Sequence, residues 1–576
     1  MTDTTQPTVD RSRDISQPLD RLGPDETLKA DSDQLRGTIT LGLLDEITGS
    51  VSFEDNKLMK FHGIYMQDDR DIRDERRRRM LEPAYTFMIR VRLPGGVCTP
   101  EQWLKFDELA RAHGGDTIRI TTRQTVQFHW ILKEALKPTI QGLHEALLDS
   151  IAACGDVPRG VMCSVNPRRS ALHAAVYDIA HRASDHAIPK QRAYHEIWLG
   201  EQRIATSEPE EPFFGKQYLP RKFKIGFVIP PSNDIDVYTQ DLGFIAIAEN
   251  GELRGFNVTI GGGMGRSDQA PETYPRLGDV VGFIPADKVL EVSDAVMSVQ
   301  RDYGDRTNRA HARFKYTIDD KGLGWIKAEI ERRMGFRFAT PKRFAFTANG
   351  DEFGWVEGDD GRWHCTLFVE NGRVIDRDGR RFMDGLRAVA RVHTGTFRLT
   401  PNQNVTISDV AAEDRGAIEA LLAEYGLVEQ RSALRLNSIA CVALPTCPLA
   451  MAESERYLPD LIGKIETILA DNGLTEEPIT IRMSGCPNGC SRPYVAEIAL
   501  SGRAPGKYNL FLGGGFHGQR LNKMHLENAG EDKILATLGE IIGRFARERE
   551  TDERFGDFTI RAGYVPEVTE GRFFNA

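Results

Sequence analysis

The chain has 576 residues, room for about three or four domains at roughly 150 residues each, so one small module is excluded. It is 40% hydrophobic, 27% charged and 8% aromatic, and 74 Lys and Arg against 84 Asp and Glu leave a formal net charge of -10, which argues against bulk nucleic-acid affinity. Eight cysteines cannot staple a chain of this size, and the opening MTDTTQPTVDRSRD lacks the apolar core of a secretory signal, so a cytoplasmic protein is expected.

From the N-terminus, residues 1 to about 34 are polar and carry Pro7, Pro18 and Pro24 without apolar periodicity, the pattern of a mobile arm able to dock on a partner. The run DDRDIRDERRRR, which ends at Arg79, reads as a solvated helix face, with an anion-facing or partner-facing patch as the rival reading. Beyond it the chain repeats itself at a shift near 279 residues. RITTRQTVQF (Arg119 to Phe128) lies over RLTPNQNVTI (Arg398 to Ile407), each read as an alternating strand after a helical run ending in Ala-Arg-x-His. Upstream, strand-like Tyr85 to Arg92 lies over His364 to Asn371. Downstream, helical Leu132 to Ala153 matches Ala411 to Tyr425, Cys163 falls opposite Cys441, and Gly255 to Gly263 pairs with Lys507 to Gly515. The expected fold class is α+β, two related halves about a pseudo-twofold, with mixed sheets, helices and a site between the halves.

The longest uncharged stretch of the C-terminal half, Asn437 to Ala452, is too short to cross a bilayer and contains Pro445 and Pro448. It holds Cys441 and Cys447 in CVALPTCP, and after 38 intervening residues Cys486 and Cys490 follow in SGCPNGCSRP. The prolines and glycines prescribe turns, which let thiolates converge and leave backbone N–H groups free to point at sulfur. Structural zinc usually has two to four residues between paired ligands, and the C-x5-C spacing lies outside that range. A disulfide is disfavoured by compartment. Four thiolates at wide spacing fit a 4Fe-4S cluster better, with zinc the remaining alternative.

CVALPTCPLAMAESER followed by RMSGCPNGCSRP resembles the siroheme-binding sulfite and nitrite reductase family, on its sulfite-reducing side. Leu35 to Ile39, Phe61 to Asp71, Thr122 to Thr125, Tyr218 to Lys224, Pro230 to Asp236 and Phe555 to Phe558 are similar too, so the resemblance covers nearly everything after the arm. It implies a three-domain architecture. Residues 1–70 would be an arm and lead-in, partly disordered, and 71–155 and 346–428 ferredoxin-like half-domains. Residues 156–345 would bind siroheme and substrate, and 429–576 the 4Fe-4S cluster and siroheme.

The same resemblance implies one siroheme and one 4Fe-4S cluster per chain, ligated by Cys441, Cys447, Cys486 and Cys490, with Cys490 also bridging to the siroheme iron. Arg90, Arg159, Lys222 and Lys224 would grip the anion. Lys222 and Lys224, at i and i+2 of an extended segment, project to one side, and guanidinium forks match oxyanions while lysine is a compact charge and proton donor. Arg123 and Gln127, read as one strand face, would meet the siroheme carboxylates, with Asn402 and Thr406 opposite in the repeat. Asn488 would add a polar contact.

The implied reaction is six-electron reduction of sulfite to sulfide in assimilatory sulfur metabolism and cysteine biosynthesis. Nitrite reduction to ammonium is the runner-up, and a zinc-bound scaffold is the reading from another class. With no nucleotide-binding motif on the chain, electrons would come from an NADPH-oxidising flavoprotein carrying FAD and FMN, or alternatively from ferredoxin. GGGMG (Gly261 to Gly265) and Gly513 to Gly515 read as turns beside a cofactor rather than phosphate loops. His62, His113 and His129 read as structural.

Overall fold

The computed structural model describes residues 9–164, 170–190, 196–199, 202–206, 211–267, 269–377 and 379–576. Four five-stranded sheets, two small and two large, carry the internal repeat. The first small sheet orders its strands Ile64–Asp68, Tyr85–Arg90, Val126–Ile131, Ile118–Ile120 and Arg373–Val374. The second orders Gly354–Glu357, Trp363–Leu367, Val405–Val410, Thr396–Leu399 and Val97–Cys98. Every pairing in both is antiparallel, and each sheet takes its last strand from the other half of the chain. This exchange, with helices Pro100–His113 and Phe382–Ala390 packed together, gives both small sheets one shared apolar core that includes Trp103, Phe106, Phe128, Phe397 and Ile407.

The two large sheets also share one topology. Strands Met162–Cys163, Ile225–Val228 and Leu242–Glu249 run parallel in that order, then Glu252–Ile260 and Asp279–Pro285 add antiparallel. Ser438–Ala440, Ile481–Ser484, Ile498–Ala504, Lys507–Leu512 and Lys523–Ala529 repeat the pattern strand for strand. The sheets are covered by separate cores, centred on Phe227, Phe244 and Phe256 in the first and on Leu500, Leu510 and Ile541 in the second. Cys163 thus ends the outer strand of one large sheet, and Cys441 follows the outer strand of the other.

Three expectations change. RITTRQTVQF and RLTPNQNVTI are each a hairpin rather than a single strand, because Gln124 and Gln403 adopt positive φ (53° and 72°) and reverse the chain. The face argument for Arg123 and Gln127 therefore fails: Arg123 lies in the turn and Gln127 on the second strand. Ile64–Asp68, expected within the lead-in, is the edge strand of the first small sheet. The polar arm is ordered where it is described. From residue 9 onward it contains helix Pro24–Asp31, which buries Glu26 and Lys29; residues 1–8 lie outside the described chain. The arginine-rich run forms the short exposed helix Arg73–Arg78, as expected of a solvated face.

Candidate functional site

The four motif cysteines sit on two loops of the second large sheet. Cys441 continues its edge strand, its N–H donating to Met483 O (3.1 Å), while Cys486 and Cys490 lie just after the neighbouring parallel strand Ile481–Ser484. The loops are laced together: Met451 N–H and Ala452 N–H both donate to Gly485 O (2.8 and 3.1 Å). A Cβ on Gly485 would stand 2.5 Å from the Ala443 Cβ, so only glycine permits this approach. Gly485 N–H donates to Cys441 Sγ (3.2 Å) and Asn488 Nδ2 donates to Cys486 Sγ (3.5 Å). Asn488 is thus directed at a thiol.

Cys486 is buried, Cys441 and Cys447 are half-buried, and Cys490 is exposed. Burial, then the neighbouring thiols, raises the thiol pKa of Cys447 and pushes that of Cys486 up to about 12. Cys441 is raised by burial and then by Cys490. The raised values keep these thiols protonated, and a cationic centre such as an iron-sulfur cluster is what would favour their thiolates. The buried Thr446 hydroxyl, next to Cys447, has no hydrogen-bond partner among the described residues and is a further donor for such a centre. Among the described residues no group of three or more His, Cys, Asp or Glu is arranged to hold a metal ion; the fit to a cluster rests on the chemistry of the donor set, four thiols with N–H and hydroxyl donors aimed at or beside them.

Cations gather on the Cys490 side. Lys222 and Lys224 flank Phe223, which is fully buried and bridges to Pro158, so both lysines project away from Phe223 as their spacing predicts. Each is held well below its ordinary pKa. Burial comes first, then Arg221, Arg313 and Arg159 around Lys222, and Arg123, Lys222 and Arg313 around Lys224. The charge of Cys490 acts on Lys222 in the opposite sense, which ties this cluster to the exposed cysteine. Asp241 offsets part of the charge through Arg313 (3.0 Å).

Arg159 is fixed by its backbone N–H to Phe223 O (2.8 Å) and by Nε to Gly155 O (3.1 Å). Arg90 pairs across the ladder with Gln127. With the Gln127 amide turned to present its oxygen, Arg90 Nε donates to it at 3.0 Å, while Nη1 reaches Cys154 Sγ at 2.6 Å. In the hairpin turn, Arg123 Nη2 donates to Gly160 O (2.7 Å) and Nη1 to Gln240 Oε1 (3.0 Å), and burial followed by Arg159 and Arg492 brings its pKa down to about 9. Thr122 Oγ1, from the same turn, donates to Cys490 O (2.9 Å). The structure thus brings Arg123, Arg159, Lys222, Lys224 and Cys490 together, while Gln127 acts on Arg90.

Sequence reasoning missed Arg221, Arg313, Lys315 and Arg492. Arg221 is the first basic residue of YLPRKFK, and Arg313 and Lys315 share the i, i+2 spacing of Lys222 and Lys224. Lys315 Nζ donates to Gly263 O (3.2 Å) and Gly265 O (2.8 Å), and Arg266 N–H donates to Pro487 O (3.1 Å). GGGMG is therefore a turn laid against the Cys486 to Cys490 loop. In the second repeat, Asp351 accepts from Thr400 (2.6 Å), Asn402 (2.9 Å) and Asn404 (2.7 Å), so a carboxylate closes the turn that carries Arg123 in the first. His62 bonds Leu35 O (3.0 Å) and His129 bonds Gln67 Oε1 (3.1 Å). No helix among the described residues is long and apolar enough to cross a membrane.

Two family profiles match the chain. "Nitrite/Sulfite reductase ferredoxin-like half domain" matches residues 78–146 and 356–425, and "Nitrite and sulphite reductase 4Fe-4S domain" matches 180–338. The latter stretch is from the first half and contains no cysteine; the thiols lie on the equivalent sheet of the second. The chain is 70% identical to the sulfite reductase [NADPH] hemoprotein beta-component of Methylocella silvestris over 98% of both chains. It is 68% identical to that of Afipia carboxidovorans over 98% of this chain and 99% of the relative. The NirA protein of Mycobacterium tuberculosis shares the fold, with a TM-score of 0.75 at 24% identity over 95% of this chain and 97% of that one.

Proposed function

The chain belongs to the nitrite and sulphite reductase family, and we propose that it is the hemoprotein component of an NADPH-dependent sulfite reductase that takes sulfite to sulfide in sulfur assimilation. The observation that carries this reading is that the turn holding Arg123 bonds both Cys490 O (2.9 Å) and Gly160 O (2.7 Å), beside Arg159, whose backbone pairs with Phe223 between Lys222 and Lys224 (2.8 Å). A thiol suited to an electron-carrying cluster and a grip suited to a dianion occupy one place, on a chain 70% identical to a protein of that name.

When bound, one siroheme and one 4Fe-4S cluster per chain would relay electrons from the external donor, six per sulfite, to the bound anion. Cys441, Cys447, Cys486 and Cys490 would hold the cluster, and Cys490 would also help hold the siroheme. Asn488 and Gly485 contribute hydrogen bonds to its sulfur ligands. Arg123 would meet siroheme carboxylates, and Gln127 keeps Arg90 aimed. Arg159 and Arg90 hold sulfite oxygens through fixed guanidinium forks. Lys222 and Lys224, held below the ordinary lysine pKa by burial and neighbouring arginines, give up protons more readily than an ordinary lysine as oxygen leaves as water. Electrons would arrive from a flavoprotein subunit carrying FAD and FMN, with ferredoxin as the alternative donor.

Metal analysis and the visible spectrum of the purified chain test this reading. Iron, acid-labile sulfide and siroheme absorption are expected, and a colourless protein holding zinc would overturn it.

A further inference from the structure

The N-terminal segment enters the anion site from behind. Helix Pro24–Asp31 turns Glu26 and Lys29, three residues apart and so on one face, into the protein, where each is only 3% exposed. Lys29 Nζ donates to Glu26 (2.6 Å) and to Leu219 O (2.9 Å), and lies 3.7 Å from the Asp156 carboxylate. Leu219 is three residues before Lys222, and Asp156 three before Arg159.

Those two stretches are themselves stitched in parallel. Leu219 N–H donates to Asp156 O (3.0 Å), Phe223 N–H to Val157 O (3.2 Å) and Arg159 N–H to Phe223 O (2.8 Å). Lys29 closes the open end of this ladder. Its surroundings are fixed in turn: Arg306 bonds Glu26 and Tyr218 O (2.7 Å), and Arg309 grips Asp156 through both carboxylate oxygens (2.8 and 3.0 Å) while reaching Asp25 (2.8 Å). Lys57 also pairs with Asp25 (2.6 Å). The network thus sets Asp25, Glu26 and Asp156 against Lys29, Lys57, Arg306 and Arg309, with Arg221 3.8 Å from Asp156.

We infer that Lys29 is a positioning residue for sulfite: by bridging Leu219 and Asp156 it sets the separation of Lys222 and Arg159, so the N-terminal segment is a strap on the substrate site. This rests on the assignment of Arg159 and Lys222 to the anion. A surface arm would leave that separation unchanged; a buried ammonium joining both walls does not.

The test compares the full-length chain carrying Lys29→Met, Arg159→Ala and both changes, with reduced methyl viologen as donor and hydrogen exchange as a second readout. Lys29→Met is expected to raise the KM for sulfite about tenfold with kcat changed less than about threefold. It is also expected to speed amide exchange at 156–159 and 219–223 selectively. The double variant is expected to fall short of the product of the single effects, because both act on one contact. If Lys29→Met does not fold, Glu26→Gln, which removes the charged partner of the lysine and leaves its contacts to Leu219 O and Asp156, is expected to raise KM about threefold with the same local exchange. Unchanged KM and unchanged exchange at those amides in the folded variant, beside a raised KM in Arg159→Ala, would overturn the strap alone. Unchanged KM in Arg159→Ala would overturn the anion assignment and the strap with it.

Discussion

Asp236 and Arg492 occupy equivalent places in the two halves of the chain and meet each other. Each has a left-handed backbone (φ 49° and 54°) immediately before a short 3-10 helix, Val237–Thr239 and Pro493–Val495, and Arg492 Nε donates to the Asp236 carboxylate at 2.5 Å. The other arms of Arg492 donate to Thr122 O (2.8 Å) and Pro401 O (3.0 Å), matching positions of the two repeated hairpin turns. One guanidinium, two residues after Cys490, thus ties both halves where they join. Because its symmetry mate is an acid, the join is polar in one direction. The same asymmetry gives one hairpin turn Arg123 and the other Asn402 with Asp351.

Arg492→Ala is expected to destabilise the chain by about 3–5 kcal/mol, because it removes one of the two arginines that neutralise fully buried Asp236 and strands two carbonyls. Denaturant unfolding measures this. A loss below about 1 kcal/mol would show that the half-to-half join does not depend on it.

Lys222→Met is expected to lower kcat on sulfite by about 10²-fold, the usual weight of a positioned proton donor. The lysines must be charged to hold a dianion, and burial with neighbouring arginines holds their pKa below the ordinary value. Raising the pH through those lowered values discharges them, so sulfite KM is expected to rise at lower pH than an ordinary lysine would give. Lys222→Arg, charged throughout, is expected to shift that alkaline limb upward. The KM-pH profiles of wild type and variant decide.

Glu497 is fully buried in the second half of the chain, accepting from Thr480 N–H (2.9 Å) and Gly556 N–H (3.0 Å), and burial raises its pKa from 4.5 to about 7. Between those values the folded chain holds a proton that the unfolded chain has lost. Stability is therefore expected to fall as pH rises from 4.5 to 7, by about 3 kcal/mol at most from this group. Glu497→Gln should flatten that slope in unfolding experiments across the window; an identical slope in the variant would assign it elsewhere.

Cys441→Ser, Cys447→Ser and Cys486→Ser are each expected to cut iron and acid-labile sulfide to a small fraction of wild type. Cys98→Ser, buried in the shared core of the small sheets, should leave both unchanged. Equal iron content in all four variants would remove the motif cysteines from ligation.

The site was legible where chemistry is written contiguously. CVALPTCP and SGCPNGCSRP carry their cysteines and turns together, and the repeat is visible because matching strands keep matching apolar positions. The first hairpin turn was not legible, since Thr-Thr-Arg-Gln-Thr has no glycine or proline to mark a reversal, although Pro401-Asn402 in its repeat does mark one. Gln124 instead takes the left-handed conformation, its side chain bonding Cys163 N–H (2.9 Å) and O (2.8 Å). Gln403 does the equivalent against Ala440 N–H (3.2 Å). The N-terminal helix was misread as a loose arm for a related reason: the face it buries is charged, and its partners, Asp156, Leu219 and Arg306, lie more than a hundred residues away.

The central claim is tested most directly by counting electrons against product in the purified chain supplied with sulfite and reduced methyl viologen. The account predicts six reducing equivalents consumed per sulfide released, with turnover on nitrite slower than on sulfite and activity lost in Cys490→Ser. Release of no sulfide by a fully iron-loaded chain, or full activity in Cys490→Ser, would contradict it.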